Sequence, residues 1–415
     1  MITSAVFWAF LVGAVVVHWL LPERLRTWFL FVASATYLAW LDWKSVLMLL
    51  VLSGLFYAVA HVEKRPRGLT AVLVLGVLAF LAWFKYVPVY VEAVRGRIED
   101  PHARAAAAVL VPLGASYYTF KLIHYVIETG RKALPKHGPA TFFAYMFFFP
   151  MFTAGPIERF DRFHDGRAPK LTREHLVDGT TRIMYGLVKK LVIVDLVFAR
   201  PVRPDAHSLL DAIPIYNPAL SLEQLMGVLP IVHPLFVWQF VINHFVAVYL
   251  DFSAYSDIAV GAGLLFGVRL MENFDYPLFA TNISDFWRRW HISLSNYCRE
   301  YVYMPVIGLT RNPYAAIFMT MAAIGLWHAG SWNYLCWGLF HAGFLVVYHS
   351  YARLKRRYDW EVDGRLVGLA GAVFTLLVCS AAQAFVATQP FGIRAAFRVL
   401  AALVGVHLAP AIPHL

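Results

Sequence analysis

The chain has 415 residues, of which 60% are hydrophobic and 15% charged, whereas an ordinary soluble domain is about 45–50% apolar and about 25% charged. That balance excludes a soluble globular enzyme and predicts an integral membrane protein. The formal net charge of +11 does not mark a nucleic-acid binder. The Lys and Arg residues sit in short loops between apolar runs, where positive-inside bias and attraction to anionic headgroups account for them.

Apolar runs recur at residues 4–20, 28–40, 45–62, 69–87, 105–127, 183–198, 230–266, 315–327, 334–348, 366–386 and 395–408. Set against about 30 Å of hydrocarbon, they predict an all-α fold of roughly 10–12 membrane helices. No linker or 20–50-residue repeat interrupts them, so residues 1–415 read as one polytopic domain whose motif-rich part spans 244–345. The first run has no basic residue before it and no small-residue cleavage pattern after it, so it reads as a retained helix. Arg24 and Arg26 after the first run, and Lys64, Arg65 and Arg67 after the third, put those loops in the cytoplasm and the N-terminus outside. Residues 353–357 fall inside by the same rule. Around residues 139–156, prolines at 139, 150 and 156 lie between basic loops, which predicts a re-entrant or broken segment buried in protein.

Further along, "YLDFSAYSDIAVGAGLLFG" puts Asp251, Ser253, Tyr255, Ser256 and Asp257 into an apolar run. Asp251 and Tyr255 are one turn apart, as are Ser253 and Asp257, so two polar faces leave the helix. The carboxylates need partners, for which Arg288, Arg289, Lys189 and Lys190 are candidates, either as structural clamps or as parts of a substrate site. Gly263 and Gly267 have the GxxxG spacing of tight helix packing.

The next stretch, "FWRRWHISLSNYCREYVY" (286–303), crowds charge and hydrogen-bonding groups among aromatics. Read as one helix, it puts Trp287, Trp290, His291 and Leu294 on one face and Arg288, Ser295 and Arg299 on another. Two readings stay open: an interfacial helix with its arginines among lipid phosphates, or an Arg-lined recess for a phosphate-bearing donor. In "GLWHAGSWNYLCWGLFHAG" (325–343), His328 ends one apolar run and His341 sits in the next. An intramembrane histidine is a functional candidate by default; the structural alternative is a bond to a carbonyl or to Asn333. Gly325, Gly330 and Ser331 permit close backbone approach, while Trp327 and Trp332 can wall a pocket against water.

Serine-hydrolase elbows, zinc helices, phosphate loops and dinucleotide turns are absent, and the three cysteines lie too far apart for a metal knuckle. An enzyme here rests on a histidine general base, for which a carrier thioester is a candidate donor, and needs neither metal nor permanently bound cofactor.

These stretches, with "WFKY" (83–86), "VPLGASYYTFKLIHYVIE" (111–128) and "FFFPMFTAGPIERF" (147–160), resemble the membrane-bound O-acyltransferase family, in its bacterial branch of alginate O-acetyltransferases and teichoic-acid D-alanyl transfer proteins. The resemblance runs from about residue 83 to 343 and implies a multi-helix enzyme with an acyl-transfer tunnel. The histidine of its WH motif, catalytic in the family, is His328; the second family histidine is His291. On that reading His328 removes the proton of an acceptor hydroxyl as it attacks an acyl thioester. His291, Asn296 or Asn333 orients the acceptor or steadies the oxyanion. Arg288, Arg289, Trp287, Trp290, Trp327, Asp251, Tyr255 and Asp257 line the tunnel or hold the donor.

The implied donor is acetyl-CoA or an acyl carrier phosphopantetheine on the cytoplasmic side. The implied acceptor is an extracytoplasmic polysaccharide or a transferase partner, and the setting is a bacterial inner membrane. This chain reads Trp327-His328-Ala329-Gly330 where WHG is common in the family. D-Alanyl transfer to teichoic acid and acylation of a small lipid or metabolite stay open. A secondary transporter is the alternative from another class, although the paired broken helices expected of one are not apparent. The two histidines are expected to face one cavity.

Overall fold

The computed structural model describes residues 4–62, 66, 68–95, 112–198, 226, 229, 233–359 and 364–408. The basic residues Lys64, Arg65 and Arg67 lie outside the described residues. Secondary structure within them is helical apart from two isolated bridges, Arg167–Val268 and Phe274–Trp290, as the apolar runs predict. In order the α-helices are α1 (Ala5–Leu20), α2 (Glu23–Ala60), α3 (Leu69–Arg95), α4 (Ala115–Arg131), α5 (Pro139–Phe147), α6 (Phe160–Asp165), α7 (Arg173–Leu187) and α8 (Pro234–Leu265). They continue with α9 (Ile283–Arg289), α10 (Ile292–Cys298), α11 (Met304–Thr310), α12 (Pro313–His328), α13 (Trp332–Arg357), α14 (Arg365–Ala387) and α15 (Ile393–Leu403).

Among the described residues, four stretches are long and apolar enough to cross a membrane: α2, residues 69–87 of α3, α8 and α14. Helix α2 has 38 residues, which would run to about 57 Å if straight. It breaks at Asp42 (φ −156°, ψ 89°). There the Asp42 carboxylate accepts the Ser45 amide at 3.2 Å and also the Ser45 hydroxyl, capping the second half in the manner of an N-cap. The two apolar runs read as separate crossings are therefore separate helical halves.

The chain forms two compact units, Met1–Gly186 with Tyr255–Glu272, and Leu187–Ala254 with Asn273–Leu415. In the first, α5 has nine residues, about 14 Å and half a bilayer core. A 3₁₀ turn at Phe149–Met151 follows it, and Phe142, Tyr145, Phe147, Phe148 and Phe149 are buried. The segment is thus broken and enclosed by protein. Its backbone finds internal partners, as irregular structure at depth requires. The buried Lys121 Nζ donates to the Tyr145 and Met146 carbonyls at 3.1 and 3.4 Å, satisfying acceptors that the short helix leaves open at its C-terminal end.

The GxxxG expectation needs correcting. Gly267 lies past the end of α8 in the left-handed region (φ +72°), and the Val268 amide turns back to the Gly263 carbonyl at 2.8 Å, so this pair ends a helix in the glycine manner. Close approach of α7 and α8 falls instead to Gly179 and Gly261: a Cβ on Gly261 would meet the Gly179 carbonyl at 2.6 Å.

In the second unit, α12 and α13 form a hairpin. Asn312 caps α12 by accepting the Tyr314 and Ala315 amides at 2.9 and 3.2 Å, and Ser331 caps α13 through the Tyr334 amide. Gly325 and Gly338 let the two backbones touch. A Cβ on Gly325 would collide with the Tyr334 carbonyl, and one on Gly338 with the Met321 carbonyl.

Candidate active site

His291 sits at a break in the polar-aromatic stretch, contrary to the single helix that its spacing suggested. Helix α9 opens with the Asn282 side chain accepting the Asp285 amide at 2.8 Å and ends at Trp290, whose backbone is extended. His291 follows in the left-handed region (φ 44°, ψ 53°), where few residues other than glycine rest. Contacts from residues 273–275 impose the break. Phe274 and Trp290 form a bridge, the Asp275 amide donates to the Arg289 carbonyl at 3.0 Å, and the Ile292 amide donates to the Asn273 carbonyl at 2.9 Å. The Asn273 side chain also accepts the Ser293 hydroxyl at 2.6 Å. The shared face proposed for Trp287, Trp290, His291 and Leu294 therefore does not arise from helical periodicity.

The turn points the His291 imidazole into an aromatic enclosure. Phe252 meets it edge-on at 4.7 Å between ring centroids, and Trp327 lies 6.2 Å away. Trp327 in turn packs at 4.8 Å from His328. His291 is buried, and its Nε2 has no hydrogen-bond partner among the described residues. His291 lies outside the spanning helices, and burial, with a smaller contribution from His328, pushes its imidazole well below the ordinary range. It is held neutral, able to accept or donate one hydrogen bond.

His328, at the last turn of α12, stacks on Tyr334 at 5.5 Å and meets the edge of Trp337 at 5.4 Å. Trp337 continues the cluster to His341 (4.9 Å) and Trp287 (5.9 Å). The structure thus gathers His291, His328, Trp287, Trp290, Trp327 and His341 with Phe252, Phe286 and Trp337. Buried nitrogens of Trp287, Trp337 and His341 also have no hydrogen-bond partner among the described residues. An apolar cluster that keeps several N–H and imidazole groups unpaired is suited to polar atoms arriving from outside the chain.

Other expected site residues are engaged elsewhere. Arg288 and Arg289 each bond the buried Asp285 at 3.0 Å, and the Arg288 side chain stays largely exposed. Asp251 pairs with Lys190 at 2.8 Å, one of the expected partners. Within the first unit, Tyr255 bonds the Thr153 hydroxyl at 2.5 Å and Asp257 pairs with Arg182 at 2.9 Å. Asn333 donates to the Phe385 carbonyl and the Thr388 hydroxyl at 3.0 and 3.3 Å, tying α13 to the end of α14, and Asn296 is exposed. Sequence reasoning missed Phe252, Asn273, Asp285 and Arg182. Asp285 alone had a signal, its i, i+3 and i, i+4 spacing to the two arginines. No group of three or more His, Cys, Asp or Glu among the described residues is placed to hold a metal ion.

The described residues thus form a helical protein with long apolar helices and two histidines in one aromatic cluster. The model of the membrane-bound O-acyltransferase family matches residues 28–388, and the chain belongs to that family. It is 32% identical over 388 residues to the probable alginate O-acetylase AlgI of Pseudomonas aeruginosa, covering 86% of this chain and 68% of that protein. It is 27% identical over 392 residues to the peptidoglycan O-acetyltransferase of Helicobacter pylori, covering 85% and 68%. It is also 30% identical over 271 residues to the teichoic acid D-alanyltransferase of Streptococcus thermophilus, covering 62% and 61%. The probable alginate O-acetylases of Azotobacter vinelandii and Pseudomonas putida are matched over 64% and 66% of their length. Membership decides the class: a membrane O-acyltransferase and not a secondary transporter.

Proposed function

We propose that this protein moves an acyl group, acetyl in the first instance, from a cytoplasmic thioester to a hydroxyl of an extracytoplasmic polysaccharide or of a partner protein. His328 acts as the general base. It takes the acceptor proton as the hydroxyl oxygen attacks the thioester carbonyl; the C–S bond breaks as the C–O bond forms, and the proton passes on to the departing thiolate. His291, kept neutral and with an open Nε2, orients the acceptor or donates to the oxyanion. The donor is acetyl-CoA or an acyl carrier phosphopantetheine, approached past Arg288 and Arg289. The setting is a bacterial inner membrane with the N-terminus extracytoplasmic.

The observation that carries this reading is the chain of contacts His291–Trp327–His328, at 6.2 and 4.8 Å, with an unpaired imidazole nitrogen at its buried end. Acetyl is favoured because the relatives matched over most of this chain are named O-acetylases or O-acetyltransferases. The test is the ester content of surface polysaccharides, by mass spectrometry, in a deletion strain complemented with wild type, His328→Ala or Gly343→Ala. Loss of one ester in the deletion and in His328→Ala, with rescue by Gly343→Ala at matched protein levels, identifies the acyl group and its acceptor. Unchanged esters in the deletion would remove the polysaccharide assignment.

A further inference from the structure

The first compact unit contains a cavity of about 730 Å³ that shares no residue with the histidine cluster. Arg24, Arg26 and Arg167 line it together with Leu30, Phe266 and Val268. The guanidinium groups of Arg26 and Arg167 are positioned by neutral partners. Arg26 donates to the Leu21 and Pro169 carbonyls at 3.0 and 2.6 Å and stacks 4.8 Å over Trp19. Arg167 donates to the Thr27 hydroxyl at 2.9 Å and to the His164 carbonyl at 3.4 Å. Glu23 is the carboxylate in the lining, and it stands against three arginines, so the cavity is left positive.

Two further features point to an anion. His18, which also lines the cavity, is 5% exposed, and its Nδ1 has no hydrogen-bond partner among the described residues. The 38-residue helix α2 starts at Glu23 beside it, and Pro22 supplies no side-chain cap. The Leu25 amide of the first turn donates to the Pro22 carbonyl at 2.9 Å, so what the start of α2 offers an external acceptor is the positive end of its dipole. Guanidinium forks, a helix N-terminus and an adjoining apolar wall together match a phosphate ester that carries an apolar chain.

We propose that this cavity binds a phosphate ester through Arg24, Arg26, Arg167 and the start of α2. Its lipid form stands apart from the acyl-transfer reading, and its donor form rests on that reading. Two sources share the chemistry: the phosphodiester of an anionic lipid, and the phosphates of a coenzyme A-type thioester donor.

The test is calorimetric titration of the purified full-length protein in neutral detergent with dihexanoyl phosphatidylglycerol, coenzyme A and, as a phosphate-free control, dihexanoylglycerol. Arg24→Ser/Arg167→Gln is compared with Arg173→Ser/Arg269→Ser, which removes equal charge outside the cavity lining. We expect saturable binding of a phosphate probe, about tenfold weaker in Arg24→Ser/Arg167→Gln and unchanged in the control pair. Arg24→Ser alone, at an exposed position, is expected to weaken binding severalfold while leaving thermal unfolding unchanged. Binding of phosphatidylglycerol but not coenzyme A makes the ligand a lipid headgroup, and the reverse makes it the donor. Failure of both phosphate probes to saturate, equal binding of dihexanoylglycerol, or equal weakening in the two double variants would overturn the proposal.

Discussion

His291 occupies a backbone conformation that costs a non-glycine residue about 1–2 kcal/mol, and the surrounding hydrogen bonds hold it there. Asp285 anchors the preceding helix by gathering Arg288 and Arg289 at 3.0 Å each. Removing that buried carboxylate leaves both guanidiniums without it, so Asp285→Ala is expected to destabilise the protein by about 1–3 kcal/mol, read as a lower thermal midpoint in detergent. Arg288→Ala removes only the more exposed arm of the pair and is expected to stay within about 0.5 kcal/mol of wild type. Equal losses in the two variants would contradict the anchoring role. His328 and His291 were legible because a WH and an RRWH sit in a membrane sequence. Asn273 and Phe252 were not, since nothing local to either marks a partner that the fold brings from elsewhere in the chain.

At the scale of elements, the helix hairpin α12–α13 sets the position of His328, and its spacing depends on glycine. Gly338→Ala places a methyl group against the Met321 carbonyl, and the expected cost is about 1–3 kcal/mol, with activity falling as His328 shifts. Gly343→Ala, on the same helix with nothing within 4 Å of the added carbon, is expected to be neutral or stabilising by up to about 1 kcal/mol. Thermal unfolding of the two variants in one detergent checks the contrast, and matched midpoints would contradict it. The apolar runs were legible as helices because hydropathy and length decide them. The break at Trp290–His291 was not, because the spacing of residues 286–303 fits a continuous helix and the interruption comes from the bridge to Phe274. The GxxxG pair misled for a related reason: a glycine that ends a helix and one that packs a helix look alike in one dimension.

For the whole molecule, composition predicted a membrane protein and the length of the apolar runs an all-α one, and the family match over residues 28–388 agrees with the motifs quoted from the same stretch. The arrangement of charge implies an orientation as well. Arg24 is exposed, and positive-inside bias leads us to expect it on the cytoplasmic side. In a Cys336→Ser background, Arg24→Cys should resist a membrane-impermeant maleimide in intact spheroplasts and react once the membrane is permeabilised. Labelling of intact spheroplasts would reverse the orientation.

The central claim is that His328 performs the proton transfer of an acyl transfer. Its most direct test is thioester-dependent acylation of an external polysaccharide by the purified protein in sealed vesicles loaded with acetyl-CoA, comparing wild type, Gly343→Ala and His328→Ala. General-base catalysis is typically worth about 10²–10⁴-fold, so His328→Ala should lose at least about a hundredfold in rate while unfolding at the temperature of wild type, and Gly343→Ala should keep its rate. A His328→Ala protein that acylates at the wild-type rate would contradict the account.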